Sequence, residues 1–344
     1  MSFSVGIVGF PNVGKSTLFK ALTRNKVDIA PYPFTTVNPN YGVVRVPDQR
    51  LEKIAEIIKP EKITPTVIEF VDIAGLVRGA HKGEGLGNQF LAQIRNCDAV
   101  VQIVRGFANE KVENVLGEVN PQEESEVVKV ELLMKDLETL KGSIEKAEND
   151  SKKDAKSLKK LELLKRIKEA VSQGKGIGEI NLNDEERAEI KEYQFLTQKP
   201  VLYVLNDGEK TGGRIPEKFA LVLDLRDEEG ISELSEQERK ELSAEPRLDE
   251  LIKSCYNILD LITFFTVAGG KETRAWTIKK GGTAIEAAGI VHTDFKEKFI
   301  RAEVIPWQEL ATAGSWAAAR EKGQLKTVGR EYLVQDGDVI EFKI

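Results

Sequence analysis

A continuous apolar run over residues 5–8 predicts a buried strand, and the stretch 15–23 behind it predicts a helix. Residues 41–46 alternate as a strand, and 49–58 carry a helical pattern with Asp48 as N-cap. Two further strands, 66–71 and 98–104, flank a helix over 88–95. From Gln122 the apolar positions become Val127, Val130, Leu133, Leu137, Leu140, Ile144 and Ala147, in steps of three and four. After the polar turn Asn149-Asp150-Ser151 a second run passes through Leu158, Leu161, Leu164, Ile167 and Val171. Two amphipathic helices across a short polar turn predict an antiparallel coiled-coil hairpin. A helix over 184–195 follows, with Asn183 and Glu186 as a capping box, and then strands over 200–205 and 219–223 and a helix over 254–259. From about Leu261 the pattern shortens to strands over 263–267 and 273–278, a small-residue helix over 283–288, and a closing hairpin of 331–334 and 338–342 around Gln335-Asp336-Gly337.

Strands alternating with helices, interrupted by a helical hairpin and followed by strands around one helix, predict an α/β domain with an inserted arm and a small α+β module. The expected boundaries are 1–120 with 198–260 for the α/β domain, 121–197 for the insertion and 261–344 for the module.

Composition narrows the setting. A net charge of −6 over 344 residues argues against a general polyanion binder. Residues 141–175 are an exception, with eleven Lys and Arg against six Asp and Glu. That excess is either a solvated coiled-coil face or a basic arm for a polyanion, and the residues leave both open. Cys97 and Cys255 are far apart, with no CxxC and no His nearby, which fits a reducing cytosol and offers no zinc site. The start of the chain has no basic n-region, and the longest apolar run, 258–268, is too short to span a bilayer and carries Asp260. A cytoplasmic protein is expected.

The chemistry begins at Gly9-Phe10-Pro11-Asn12-Val13-Gly14-Lys15-Ser16, a GxxxxGKS loop between a strand and a helix. Glycines let successive backbone N–H groups converge on phosphate oxygens, and the following helix adds its positive end. Lys15 is expected to reach the β- and γ-phosphates, and the Ser16 hydroxyl to bind Mg²⁺. At the end of the strand 66–71 stands Asp72-Ile73-Ala74-Gly75. Its carboxylate is expected on the Mg²⁺ side, with the Gly75 N–H toward the γ-phosphate. Five glycines between Gly75 and Gly87 then predict a loop beside that phosphate.

Guanine-reading relatives carry Asn-Lys-x-Asp after a later strand, whereas this chain has Asn206-Asp207-Gly208-Glu209. The acid is one methylene longer, and Asp replaces the Lys whose stem packs on the base. Guanine preference should therefore weaken, unless Glu209 or Asp207 still reaches the base.

With GFPNVGKST, PFTT, DIAGLVRGAHKGEGLGNQFL and an NxxE tetrad in this order, the chain closely resembles the YchF family, the Obg-like ATPases, over essentially its whole length. The resemblance implies a Ras/Obg-like P-loop domain, the coiled-coil insertion and a C-terminal TGS domain of β-grasp fold. It implies hydrolysis of ATP in preference to, or alongside, GTP, and association with ribosomes. Residue by residue, it places phosphate binding on Asn12, Val13, Gly14, Lys15, Ser16 and Thr17, and the switch threonines on Thr35 and Thr36. Mg²⁺ then falls to Ser16, Thr36 and Asp72, and the base to the region of Asn206, Asp207 and Glu209. Asp224-Leu225-Arg226 departs from the Ser-Ala-Lys of many relatives, which leaves the strictness of nucleotide choice open.

In Ras-like enzymes a Gln after the DxxG glycine orients the attacking water. Here that position is Leu76, which neither donates nor accepts. His81, in the glycine-rich loop, is the candidate for the task, and the resemblance also points to it. Asn12 is a second candidate, through a potassium ion of the kind held by relatives with Asn at this place. The expected function is a slow, ribosome-associated NTP-hydrolysing switch, working as a monomer. The alternatives are a nucleotide-gated binding protein with negligible hydrolysis and a GTP-preferring GTPase.

Overall fold

The computed structural model describes residues 3–24, 40–73, 75, 86–109, 111–150, 155–208, 218–268 and 270–344. In chain order the strands are β1 (Phe3–Val8), β2 (Tyr41–Arg45), β3 (Lys62–Thr64), β4 (Val67–Asp72), β5 (Ala99–Arg105), β6 (Val201–Asn206), β7 (Leu221–Leu223), β8 (Leu261–Ala268), β9 (Glu272–Lys279), β10 (Arg301–Pro306), β11 (Lys326–Val328) and β12 (Asp338–Lys343). The helices are α1 (Lys15–Arg24), α2 (Gln49–Ile58), α3 (Leu86–Asn96), α4 (Pro121–Asp150), α5 (Ala155–Ser172), α6 (Asp184–Ile190), α7 (Leu225–Glu233), α8 (Glu236–Glu241), α9 (Leu248–Ile258), α10 (Ala284–Val291), α11 (Thr293–Glu297), α12 (Trp307–Ala313) and α13 (Trp316–Glu321). The chain forms two compact units: one of Ser4–Gly42 and Glu69–Leu248, the other of Met1–Phe3, Val43–Ile68 and Asp249–Ile344.

The first sheet has the order β2-β4-β1-β5-β6-β7. Its pairs β1–β5, β5–β6 and β6–β7 are parallel. All seven residues of β5 are buried, which explains its near-continuous apolar sequence. Because the strands run the same way, the loops after β1, β5 and β6 leave from one edge. That carboxyl edge is where open α/β sheets bind ligands.

Helices α4 and α5 form the predicted pair. Leu140, Ile144, Leu161, Leu164, Ile167 and Val171 share one core with Ile177, Ile190 and Phe195. Three expected core positions lie outside it: Val127 is half-buried elsewhere, Val130 is 50% exposed and Leu158 47%. The first turns of α4 pack on β5 and bury a different stripe, Glu124, Val128, Glu131 and Leu132. The buried Asp136 carboxylate ties α4 to the returning chain, accepting from the backbone N–H groups of Leu196 and Thr197 at 2.8 Å each. The Asn183–Glu186 capping box and the Asp48 N-cap form as predicted.

The C-terminal unit is built on the order β11-β10-β12-β8-β9-β3. Successive side chains of a strand point to opposite faces. Phe264 thus packs under α10 with Ala284, Ala287 and Ala288, while Phe265 packs with Leu51, Ile54 and Leu310 of α2 and α12. The unit therefore takes in 43–68 and 249–260, whereas the sequence pattern groups both with the phosphate-loop strands. An apolar helix face shows that it must be covered, not by which sheet. The predicted closing hairpin is also revised. Strand β12 pairs with β10 antiparallel and β8 parallel, and Leu333 makes only an isolated bridge to Thr283. The turn at Gln335–Gly337 instead serves Thr263, whose backbone N–H donates to Asp336 Oδ1 at 2.9 Å.

Candidate nucleotide site

Strand β1 delivers the chain into the phosphate loop, and two glycines there are obligatory. A Cβ at Gly9 would stand 2.4 Å from the Ile103 carbonyl, and one at Gly14 would stand 2.7 Å from Asn206 Nδ2. Both have positive φ, as does Asn12 at 64°. Asn tolerates that conformation better than most residues. The loop closes into α1, where Leu18 N–H donates to the Gly14 carbonyl at 3.0 Å.

Lys15 is 8% exposed, and its Nζ donates to the Phe10 carbonyl at 2.7 Å. Burial pushes its ammonium down to about 8, against the opposing pull of Asp72 and Glu124. An ammonium held in a dry site beside one carbonyl is primed for an anion. Ser16 Oγ donates to Asp72 Oδ2 at 3.2 Å, so the ends of β4 and of the phosphate loop meet as the sequence predicts. Burial raises the Asp72 carboxyl above its usual range, with the Ser16 hydrogen bond and Lys15 working against it. Gly75 lies close as well: a Cβ there would come within 3.1 Å of both Lys15 Nζ and Pro11 N.

Two hard oxygen donors side by side, Ser16 Oγ and Asp72 Oδ2, fit a magnesium ion that keeps its other positions for phosphate and water. Asn12 Nδ2 donates to the Glu113 carbonyl at 3.4 Å.

A cavity of about 510 Å³ opens beside the loop. Asn12, Gly14, Lys15, Ser16, Thr17, Asn206 and Gly208 line it, together with Phe107, Ala108, Asn109, Val112, Asp224, Leu225 and Arg226. Asn206 acts as a brace. Its Nδ2 donates to the Val13 carbonyl at 2.9 Å and its Oδ1 accepts from Leu225 N–H at 3.2 Å. Asp224 caps α7, accepting from the N–H groups of Arg226 and Asp227. Asp207 is buried and is not among the cavity residues. Thr35, Thr36, Leu76, His81 and Glu209 lie outside the described residues. The segment 107–112 carries no motif. Its position after a buried parallel strand was the available signal.

Among the described residues no group of three or more His, Cys, Asp and Glu forms another metal cluster, and no helix is long and apolar enough to cross a membrane. Cys97 and Cys255 are buried free thiols. On the helical pair, Lys160 pairs with Glu192 at 2.5 Å, Lys165 with Glu148 at 2.9 Å and Arg166 with Glu186 at 2.7 Å. Part of the local positive excess is thus neutralised within the protein.

A phosphate loop at the carboxyl edge of a parallel sheet, with Lys15 buried in it and Ser16 against Asp72, defines a P-loop nucleoside-triphosphate-binding protein of the GTPase superfamily. The model described as "50S ribosome-binding GTPase" matches residues 4–135, and YchF-GTPase_C, described as a protein of unknown function (DUF933), matches 261–344. The chain is 43% identical to the "Ribosome-binding ATPase YchF" of Bacillus subtilis (strain 168), covering 100% of this chain and 99% of the relative. It is 43% identical to the protein of the same name from Escherichia coli O157:H7, over 99% of each. The solved Schizosaccharomyces pombe YchF GTPase superposes with a TM-score of 0.87 at 32% identity, over 99% of this chain and 98% of that one. The chain belongs to the YchF family.

Proposed function

We propose that this protein is a slow, ribosome-associated hydrolase of nucleoside triphosphates, a conformational switch that uses ATP in preference to or alongside GTP. The observation that carries the reading is the convergence of Lys15, Ser16, Asp72 and Gly75 at one loop. The ribosome and the choice of ATP rest on the names of the relatives. We place it in the cytoplasm as a monomer.

On binding, Lys15 Nζ exchanges the Phe10 carbonyl for β- and γ-phosphate oxygens, and the N–H groups of Asn12 to Thr17 surround the phosphates. Ser16 and Asp72, with Thr36, would hold Mg²⁺, which neutralises charge shared between the β- and γ-phosphates. The Gly75 N–H is the group that would meet the γ-phosphate and sense its loss on hydrolysis. Phe107 and its neighbours take the base side, with Asn206 bracing the loop beneath it. The Asn206–Glu209 segment, in which Glu209 replaces the guanine-reading Asp, weakens discrimination against adenine. His81 positions the attacking water in place of a Gln, and Asn12 offers a potassium site as a second source of charge.

Single-turnover hydrolysis of ATP, with and without ribosomes, tests this reading. Slow hydrolysis that ribosomes accelerate is the expected result, and a rate ribosomes leave unchanged would favour nucleotide-gated binding. In the same assay His81→Ala should slow hydrolysis roughly 10²-fold while ATP affinity holds. A wild-type rate in that variant would remove His81 from the mechanism.

A further inference from the structure

We propose that Arg105 is the positioning residue that builds the base-side wall of the nucleotide cavity. The inference rests on the reading above, that segment 107–112 receives the base.

Arg105 ends β5 and is 3% exposed. Its guanidinium spends its donors on the backbone of the next eight residues: Nε donates to Phe107 O at 3.0 Å, Nη1 to Glu113 O at 3.1 Å, and Nη2 to Asn109 O at 3.2 Å and Val112 O at 3.0 Å. The same group lies 4.5 Å from the Phe107 ring centroid. Four carbonyls gathered on one planar fork hold Phe107, Asn109, Val112 and Glu113 in place. Phe107, Ala108, Asn109 and Val112 of that segment line the cavity.

The arrangement has a back and a side. Behind it stands Glu124, in the first turn of α4 and 4% exposed, whose Oε2 accepts from the Arg105 backbone N–H at 3.2 Å. When ionised, its carboxylate offsets the buried guanidinium. Beside it, Asn12 Nδ2 donates to the Glu113 carbonyl, joining the far end of the segment to the phosphate loop. A turn also holds the segment, with Val112 N–H donating to the Asn109 carbonyl at 3.1 Å. Burying a cation to hold four carbonyls makes sense where a rigid surface is required, because a cavity wall that sags loses its contacts with the base.

Lysine keeps the charge opposite Glu124 but offers a point of donors in place of the fork. The test is calorimetric titration of the full chain with Mg·ATP and with Mg·tripolyphosphate, for the wild type, Arg105→Lys and Asn109→Ala. Tripolyphosphate probes the phosphate loop alone, and ATP adds the base and ribose. The wild type should bind ATP more tightly than tripolyphosphate. Arg105→Lys should cut that preference about tenfold and leave tripolyphosphate affinity within about twofold. Asn109 Oδ1 accepts from Lys111 N–H at 2.9 Å in the same segment, so Asn109→Ala should cut the preference about threefold without disturbing a buried charge. A preference kept in full by both variants overturns the role of Arg105 and leaves the nucleotide reading standing. Equal losses for both ligands overturn it too, since Arg105 would then support the fold or the phosphate loop. No preference in the wild type overturns both the wall and the reading that the cavity takes a base.

Discussion

Each unit holds buried polar clusters, and two of them are completed in different ways. In the C-terminal unit Tyr256 OH bonds Thr277 Oγ1 at 2.8 Å and Thr263 Oγ1 at 3.0 Å, and Thr277 Oγ1 meets Thr66 Oγ1 at 2.5 Å. The buried Asp338 of that unit accepts from Tyr332 OH and Gln335 N–H, each at 2.9 Å. Within each cluster the groups spend their capacity on one another, and the hydroxyls of Tyr256, Thr263 and Thr277 join α9, β8 and β9. In the larger unit Lys15 has one carbonyl partner beside an open cavity, and Glu124 Oε1 is buried with no hydrogen-bond partner among the described residues. Saturated hydroxyls stabilise a fold. An incompletely partnered ammonium lining a cavity costs stability and is kept where an anionic ligand completes it.

The largest effect expected from this contrast falls on Lys15. Lys15→Ala should weaken Mg·ATP binding by roughly 10²-fold or more, because it removes a charge-assisted contact to phosphate in a dry site. Calorimetry giving the variant wild-type affinity would take away the distinction between the units.

The second effect concerns pH. Burial pushes the Glu124 carboxyl up to about 7 from 4.5, with Arg105 and Lys15 as the opposing cations. Between those values the folded protein keeps a proton that the unfolded chain has released, so stability falls as pH rises through that window. The span is at most about 3 kcal/mol. Glu124→Gln should flatten it, as measured by urea unfolding midpoints from pH 5 to 8, a range set to bracket about one unit beyond the upper pKa. An unchanged slope would assign the dependence to another group.

How much of this contrast was legible in the sequence depends on range. The phosphate loop, Asp72 and the caps at Asp48 and Asn183 are local patterns, and each formed where its spacing puts it. Strand β3 is three residues long and exists through its pairing with β9, some two hundred positions away, so no local signal marks it. Likewise, the alternation that suggested a strand near Glu331 lost to the pairing of β12 with β10 and β8. Arg105 falls just past the predicted strand 98–104, and no sequence signal marks it, because its four carbonyl partners carry no side-chain signature. The hairpin helices were visible by period, yet their first turns changed partner from α5 to β5, which exposed Val130.

The smallest effect is expected in the C-terminal unit. Tyr256→Phe removes a hydroxyl whose partner Thr277 keeps its bond to Thr66, so it should cost about 1–2 kcal/mol of stability. Burial pushes that phenol up to about 12, well above neutrality. The loss should therefore be the same at pH 6 and pH 8, about four units or more below that pKa. A pH-dependent loss would mean that this network is not the neutral, saturated one described.

The central claim is that the larger unit is completed by a nucleoside triphosphate, with ATP at least as good a ligand as GTP. Side-by-side calorimetric titration of the full chain with Mg·ATP and Mg·GTP tests it most directly. The account predicts saturable binding of one nucleotide per chain, with ATP equal to or tighter than GTP. A GTP preference of about a hundredfold or more, or no binding of either nucleotide, would contradict it.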